Sequence, residues 1–332
     1  EDQRDVPLVA QRDGFVVLHR AAGLDDGGDP GLRGDLGAVG EREERVGGQH
    51  GADRVLARLL DREALLVEPE VKAEALFAGV TSLVEVQLDR ARNHHHLRPI
   101  AVGVGAAGPI GPNVEAIAPV GIPAWRNFPL RQRLAAITSL PVFGDLDAKA
   151  LALAEGWLGA AQGHQNFMAV AVGTSIAGGI VLNGQLLEGA TGHAGQVGHI
   201  ILEPNGHRCS CGARGCLEAE ASGSAVLAIT GRPTSQPTYE IMQRSGRLVG
   251  KAVASVCNLL DLDLVVVGGG VALSFAATFF NAAQEALDEH VKIAYAKGAR
   301  ITPVRLGDRG PLIGAGAIAV RGLNRQRRNA RR

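Results

Sequence analysis

Three thiols and an imidazole stand in one short, glycine-punctuated run, GHIILEPNGHRCSCGARGCLE, as His199, Cys209, Cys211 and Cys216. The thiolate is the form of cysteine that binds metal, and three thiolates with one imidazole complete a closed tetrahedral zinc site. Gly206, Gly212 and Gly215 permit the tight turns that bring such donors together. Three of the chain's four cysteines fall between positions 209 and 216, a clustering that packing alone does not produce. The spacing leaves the nitrogen ligand open. His207 is nearer to the cysteines, whereas His199 follows a Gly-Gln-Val-Gly turn that delivers it from outside the loop. Four protein ligands leave no position for a substrate, so the site is expected to be structural. Glu218 follows Cys216 by two residues, and whatever the metal rigidifies also fixes that carboxylate.

Three further patterns could do chemistry. Asp147 opens the helical stretch DAKALALAE directly after the strand-like PVF. A carboxylate there sits where α/β active sites collect and near the positive end of a helix dipole, which suits a base for a hydroxyl proton. An ordinary N-cap aspartate has the same spacing. GTSIAGG (173–179) reads as a turn that offers backbone N–H groups and the Thr174 hydroxyl to phosphate oxygens, or as a plain hairpin. Gly268, Gly269 and Gly270 end an apolar strand and precede a helix, so a ligand or a neighbouring element can come close to bare backbone.

These residues need elements to hold them. From Arg98 onward strands, helices and glycine turns alternate, which predicts an α/β class. Strands are expected in IAVGVGAAGPI, LPVF and LDLVVVGGG, two strands joined by a Gly-rich hairpin in FMAVAVGTSIAGGIVLNGQLLEG, and helices in DAKALALAEGWLGAA, GRLVGKAVASVCNLL and IGAGAIAVRGL. Hydrophobic residues make up 46% of the chain but aromatics only 4%, so the core must be built from Val, Leu, Ile and Ala. Residues 1–97 read differently: Gly-, Arg- and Asp-rich, with 12 basic against 19 acidic residues. There FVVLH (15–19) could be a strand, ADRVLARLLDREALL (52–66) has helical periodicity, and 24–51 looks like loop or disorder. The triple histidine His94–His96 is read as a surface accident, because adjacent side chains diverge. The basic end RGLNRQRRNARR is expected to be solvated and disordered over 323–332. No run of about 18 uncharged apolar residues suggests a membrane span. The cysteine pattern favours a reducing cytoplasm, and nothing marks a nucleic-acid surface.

Taken in order, PVFGDLDAKALALAE, VGTSIAGGIVLNGQLLEGATGHAGQVGH, CSCGARGCLEAEASG and LDLDLVVVGGGVA resemble the ROK family (repressor, open reading frame, kinase) over roughly residues 98–322. The resemblance implies an actin-like, ribonuclease-H-like fold of two lobes with a cleft between them and a structural zinc loop. It places the remainder of an N-terminal lobe at 98–145, a C-terminal lobe at 146–305 and a returning helix at 306–322, with residues 1–97 atypical. It implies transfer of the ATP γ-phosphoryl to a hexose 6-hydroxyl, with Mg²⁺ accompanying ATP and Zn²⁺ in the loop. By that resemblance Asp147 is the base, and Glu155 keeps the family's separation from it. His199 is both zinc ligand and sugar contact, which favours it over His207. Glu218 and Gln196 face the sugar beside Gly108 and Pro109. Gly173 and Thr174 form the second phosphate loop, and Gly268, Gly269 and Gly270 the adenosine side. A homo-oligomer, dimer or tetramer, is also implied.

The chain departs from the family pattern at named positions. The family's first phosphate loop, Asp-x-Gly-Gly-Thr, is not found; Asp25-Asp26-Gly27-Gly28 is the nearest string. Leu146 replaces an asparagine before the aspartate, Gly121 stands four before Trp125 where an asparagine is usual, and Gln196 replaces a glutamate. Ser175 and Ala177 stand where glycines are common. A shifted reading of residues 1–97 or divergence into a sugar binder would each produce the first departure. A sugar-responsive transcriptional regulator is the alternative from another class, and the acidic balance of 1–97 opposes it.

Overall fold

Apolar residues at 76, 77, 80, 84, 88 and 91 line one face of a helix, and that face is buried. The computed structural model describes residues 14–21, 65, 71–94 and 96–331, the first of these as backbone. In it, helix α1 (Ala73–Asn93) feeds strand β2 (Leu97–Ala106). β2 is paired antiparallel with β1 (Gly14–Ala21) on one edge and parallel with β3 (Val142–Leu146) on the other. Between β2 and β3 runs a loop that ends in α2 (Leu130–Thr138). Trp125 and Phe128 stack at 4.7 Å, and the Trp125 indole N–H donates to the Ala73 carbonyl, so this loop seals against α1.

The second sheet has five strands in the order β6-β5-β4-β7-β8. They are β4 (Phe167–Val172), β5 (Ile176–Leu182), β6 (Gln185–Leu186), β7 (Leu264–Gly268) and β8 (Arg300–Pro303). β4, β7 and β8 are parallel, and β5 runs antiparallel to β4. Side chains alternate across it. Met168, Val170, Val265 and Val267 meet the long helices α6 (Tyr239–Leu260) and α7 (Gly270–His290). Phe167, Ala169, Leu264 and Val266 share a cluster with Leu151 and Ala152 of α3 (Asp147–Leu158). That two-sided burial explains why LVVVG reads as an unbroken apolar run. Two short helices, α4 (Leu217–Ala221) and α5 (Gly223–Thr230), follow the cysteine loop. The last helix, α8 (Gly310–Ala330), packs on α3 and on all three strands of the first sheet. No helix among the described residues is long and apolar enough to cross a membrane.

Three expectations are corrected. Residues 71–97, left without a fold by their composition, hold α1 and belong to the same apolar cluster as β2 and Trp125. The basic end is helical through Ala330 rather than disordered, because Arg321 and Arg325 face an acidic partner, Glu188. GTSIAGG is a turn only over 173–175; Ile176 already begins β5, and Gly178 and Gly179 are strand positions. Gly179 must be small there. A Cβ on it would lie 2.8 Å from the Ala148 carbonyl oxygen and 2.9 Å from Lys149 Cα, in the first turn of α3. The strand expected at FVVLH is β1. His94 and His96 are exposed. His95, Asp25–Gly28 and, Leu65 apart, the periodic stretch 52–66 lie outside the described residues.

Candidate active site and metal loop

The cysteine loop closes on itself through backbone bonds. Leu202 N–H donates to Gly215 O, Leu217 N–H to Ile200 O, and Cys209 N–H to Ala213 O. Gly212 and Gly215 take φ of 96° and 70°, where a side chain would be strained. This brings one donor atom from each of His199, Cys209, Cys211 and Cys216 within 4.8 Å of the others. Cys211 Sγ and Cys216 Sγ are 3.7 Å apart, as are Cys209 Sγ and His199 Nδ1. Zinc–sulfur bonds of ~2.3 Å in a tetrahedron set sulfur–sulfur edges of ~3.8 Å, so the donor set fits that metal. His207, the other candidate ligand, is engaged elsewhere: its Nδ1 lies 3.1 Å from both carboxylate oxygens of Glu220. Glu220 is buried and also receives Arg244 Nη2 at 2.6 Å, which ties the loop to α6.

Glu218, on the same short helix, points the other way. Its Oε2 accepts the Ile176 N–H at 2.5 Å, and Gly198 lies against it. Burial pushes its carboxyl above the usual carboxylate range, partly offset by that N–H. Gln196 follows Gly195, whose φ of 101° and close approach to the Gly178 carbonyl hold it at the edge of β5. Asp147 is the first residue of α3, at the C-terminal end of β3, where Leu146 is in register with Ala106 of β2. Its Oδ1 accepts the Ala148 N–H at 2.7 Å. Gly108 and Pro109 follow β2 beside it, and a Cβ on Gly108 would lie 3.3 Å from Leu146 Cδ2. The first turn of α3 sits over Gly179 and Glu218 binds at Ile176, three residues away along β5, or ~10 Å of extended chain. Gln196, His199 and Glu218 thus lie near the start of β5, where Gly195 meets Gly178 and Glu218 binds Ile176, while Asp147, Gly108 and Pro109 stand at the ends of β3 and β2 in the first sheet.

The glycine turns meet at the C-terminal ends of β4 and β7. Val172 ends β4 and Gly268 ends the parallel β7 next to it. Gly269 has φ of 96°, and a Cβ on it would lie 2.3 Å from the Val172 carbonyl oxygen, so only glycine lets the two turns touch. Gly270 starts α7, whose helical course is interrupted at Ala276 (φ 48°), and its first turn directs N–H groups toward that junction. Thr174 is exposed in the turn. The sequence reading missed a third contributor. Gly223 N–H donates to Gly173 O and Ser224 N–H to Thr174 O, placing the N-terminus of α5 against the turn. The Ser222 N-cap, accepting from Ala225 N–H, was the available signal. Neither Ser175 nor Ala177 takes a positive φ, so neither departure carries backbone strain.

Glu155 is not part of this site. It is fully buried and its carboxylate accepts the N–H groups of Ala160, Arg305 and Leu306, fastening α3 to the chain entering α8. His193 was also missed. Its Nε2 lies 3.1 Å from the Ile110 carbonyl, and its Nδ1 3.2 Å from Thr191 Oγ1. The carbonyl can only accept, so Nε2 donates to it.

Comparison with known proteins follows the geometry. The ROK family pattern matches residues 51–321, well into the segment that composition set apart. A glucokinase of Halalkalibacterium halodurans is 31% identical over 273 residues, covering 72% of this chain and 82% of that protein. The structure of a ROK hexokinase from Thermus thermophilus superimposes with a TM-score of 0.70 at 34% identity, covering 80% of this chain and 92% of that one. A ROK family glucokinase from Streptomyces griseus, in complex with glucose and AMPPNP, gives 0.63 at 25% identity, covering 80% and 93%.

Proposed function

The chain belongs to the ROK family, and on that premise we propose that it is a hexose kinase, transferring the γ-phosphoryl of ATP to a hexose 6-hydroxyl. The carrying observation is the placement of Asp147 at a helix N-terminus after β3, together with the Glu218 carboxylate held at Ile176 of β5 and the glycine turns that meet between β4 and β7. Glucokinase and hexokinase relatives, one of them holding glucose and an ATP analogue, support the substrate pair.

On this reading Asp147 accepts the proton of the attacking hydroxyl. Glu218, His199 and Gln196, with Gly108 and Pro109, orient the sugar. Gly173 and Thr174 hold phosphate oxygens, and Gly268–Gly270 receive the adenosine side. Phosphoryl transfer is mostly positioning and charge neutralisation, so fixed N–H donors and one base suffice beside the Mg²⁺ that accompanies ATP. Zn²⁺ in the cysteine loop supplies rigidity, not a reaction step. We place the protein in the cytoplasm, where four cysteines without a disulfide persist, and expect a homo-oligomer of two or four chains.

A single observation favours a second reading: the chain carries no Asp-x-Gly-Gly-Thr string. A hexose-binding protein without turnover would share the remaining site. Product formation across hexoses with Mg-ATP separates the two. Asp147→Asn is expected to lower kcat about 10²–10⁴-fold with little change in hexose KM. Equal inactivity of wild type and variant toward every hexose would leave only the binding reading.

A further inference from the structure

Lys149 is the one lysine in the third position of α3, and its side chain is fully buried. An ammonium at a helix N-terminus opposes the dipole and is costly to desolvate, so its partners must be good. They are. Nζ donates to the Gly192 carbonyl at 2.7 Å and to Glu188 Oε2 at 2.8 Å, and lies 3.5 Å from Asp145 Oδ1 as an ion pair. Glu188 is held in turn by Arg321 at 2.6 Å and Arg325 at 2.9 Å, both from α8.

The segment held this way is a small ring. Ala194 N–H donates back to Glu188 O, and Gly189 and Gly192 take φ of 73° and 85°. Its far side is fastened through His193 to Ile110, one residue past Pro109. Its exit leads straight into Gln196 and His199. One side chain, two residues from Asp147, therefore joins the first turn of its helix to the ring that precedes the acceptor-side residues.

We infer that Lys149 is a positioning residue for the acceptor side: it clamps the 188–193 ring between α3 and α8 and so fixes the wall against which the hexose is oriented toward Asp147. The inference rests on the hexose-kinase reading for its kinetic part and on the contacts of Lys149 and Glu188 alone for its structural part. Misplacement of an oriented reactant by ~1 Å can cost about 10²-fold, so a loosened ring is felt at the sugar and not at the nucleotide.

The test compares wild type with Lys149→Met in the full chain. The expected result is a rise of about tenfold or more in hexose KM, with ATP KM within about twofold. Amide hydrogen exchange is expected to speed up over residues 188–193 and to stay unchanged in α6 and α7. Should Lys149→Met fail to fold, Arg321→Gln removes the α8 half of the clamp from a side chain that is 23% exposed. It is expected to raise the same KM by a smaller factor. Parallel rises in both KM values, or unchanged exchange over 188–193, would overturn the inference. If the wild type phosphorylates no hexose, the kinase reading falls, and the exchange comparison alone decides the clamp.

Discussion

At the scale of single residues, the pairings of two histidines and one glutamate decide what the sequence left open. Spacing could not choose between His199 and His207, since both lie within reach of a flexible loop. The structure separates them, because Glu220 engages His207. His199→Ala is therefore expected to abolish bound zinc, measured by elemental analysis of the purified protein, whereas His207→Ala should keep it. Glu188 makes a pH prediction. Burial opposes its ionisation, but the hydrogen bonds from Lys149 and Arg325 and the charges of Arg321 and Lys149 outweigh it and draw the pKa from the ordinary 4.5 to about 2. A depressed carboxylate pKa stabilises the folded state above the unfolded value and loses that contribution as pH falls through the folded value. Glu188→Gln should thus lower the urea midpoint at pH 7, and the gap from wild type should close between about pH 4.5 and 2. An equal gap at every pH would assign the loss to packing. Neither Lys149 nor Glu188 was legible beforehand, since 39 residues separate them and each alone reads as a solvated charge.

Elements were legible where one periodicity acted alone. Asp147 was expected to open a helix and does, and the apolar run at Leu264–Gly268 is the buried strand it was expected to be. Failures came where tertiary contact overrode composition. The helix expected at IGAGAIAVRGL is found and runs on through the arginine-rich end that looked like a disordered tail; within it Gly314, Ala315 and Ala319 let α8 lie directly on its neighbours. A Cβ on Gly314 would come 2.2 Å from the Ala150 carbonyl oxygen, and one on Gly103 of β2 1.9 Å from that of Ala315. Sequence shows the small residues but not the backbone they approach. Gly314→Val should force α8 off α3, costing about 1–3 kcal/mol as overpacking of a tight contact, with a matching fall in Tm by calorimetry. An unchanged Tm would mean that α8 shifts without loss and is not held at that contact. Glu155 is the complementary case: a family-spaced carboxylate that spends its acceptors on backbone N–H groups at the entry to α8. α1 was missed because the acidic, glycine-rich composition of the surrounding segment masked a clean helical stripe.

At the scale of the whole molecule, the four cysteines sit in regions of different local stability, and that makes them a probe of how the protein opens. Cys257 is fully buried between α6 and the second sheet, in the same apolar cluster as Val249, Val265 and Phe279. Burial, with a smaller push from Asp263, raises its pKa to about 12, so it has almost no thiolate at neutral pH. Its modification requires loss of that core. Cys209, Cys211 and Cys216 belong to a loop held by a few backbone bonds, with a donor set that fits a metal, and Cys211 is already exposed. Regions with little apolar burial open with much less free energy than the core. Removal of zinc should then open the loop without unfolding the sheet beneath it. With a chelator at pH 7, three thiols per chain are expected to react quickly with a disulfide reagent, and the fourth only at the rate of global unfolding. Hexose affinity should fall along with the first phase, since His199 and Glu218 flank the loop, while circular dichroism changes little. Four thiols reacting in one phase would show that the metal holds the entire C-terminal sheet together, and would move the loop from a local brace of the acceptor site to a determinant of the fold.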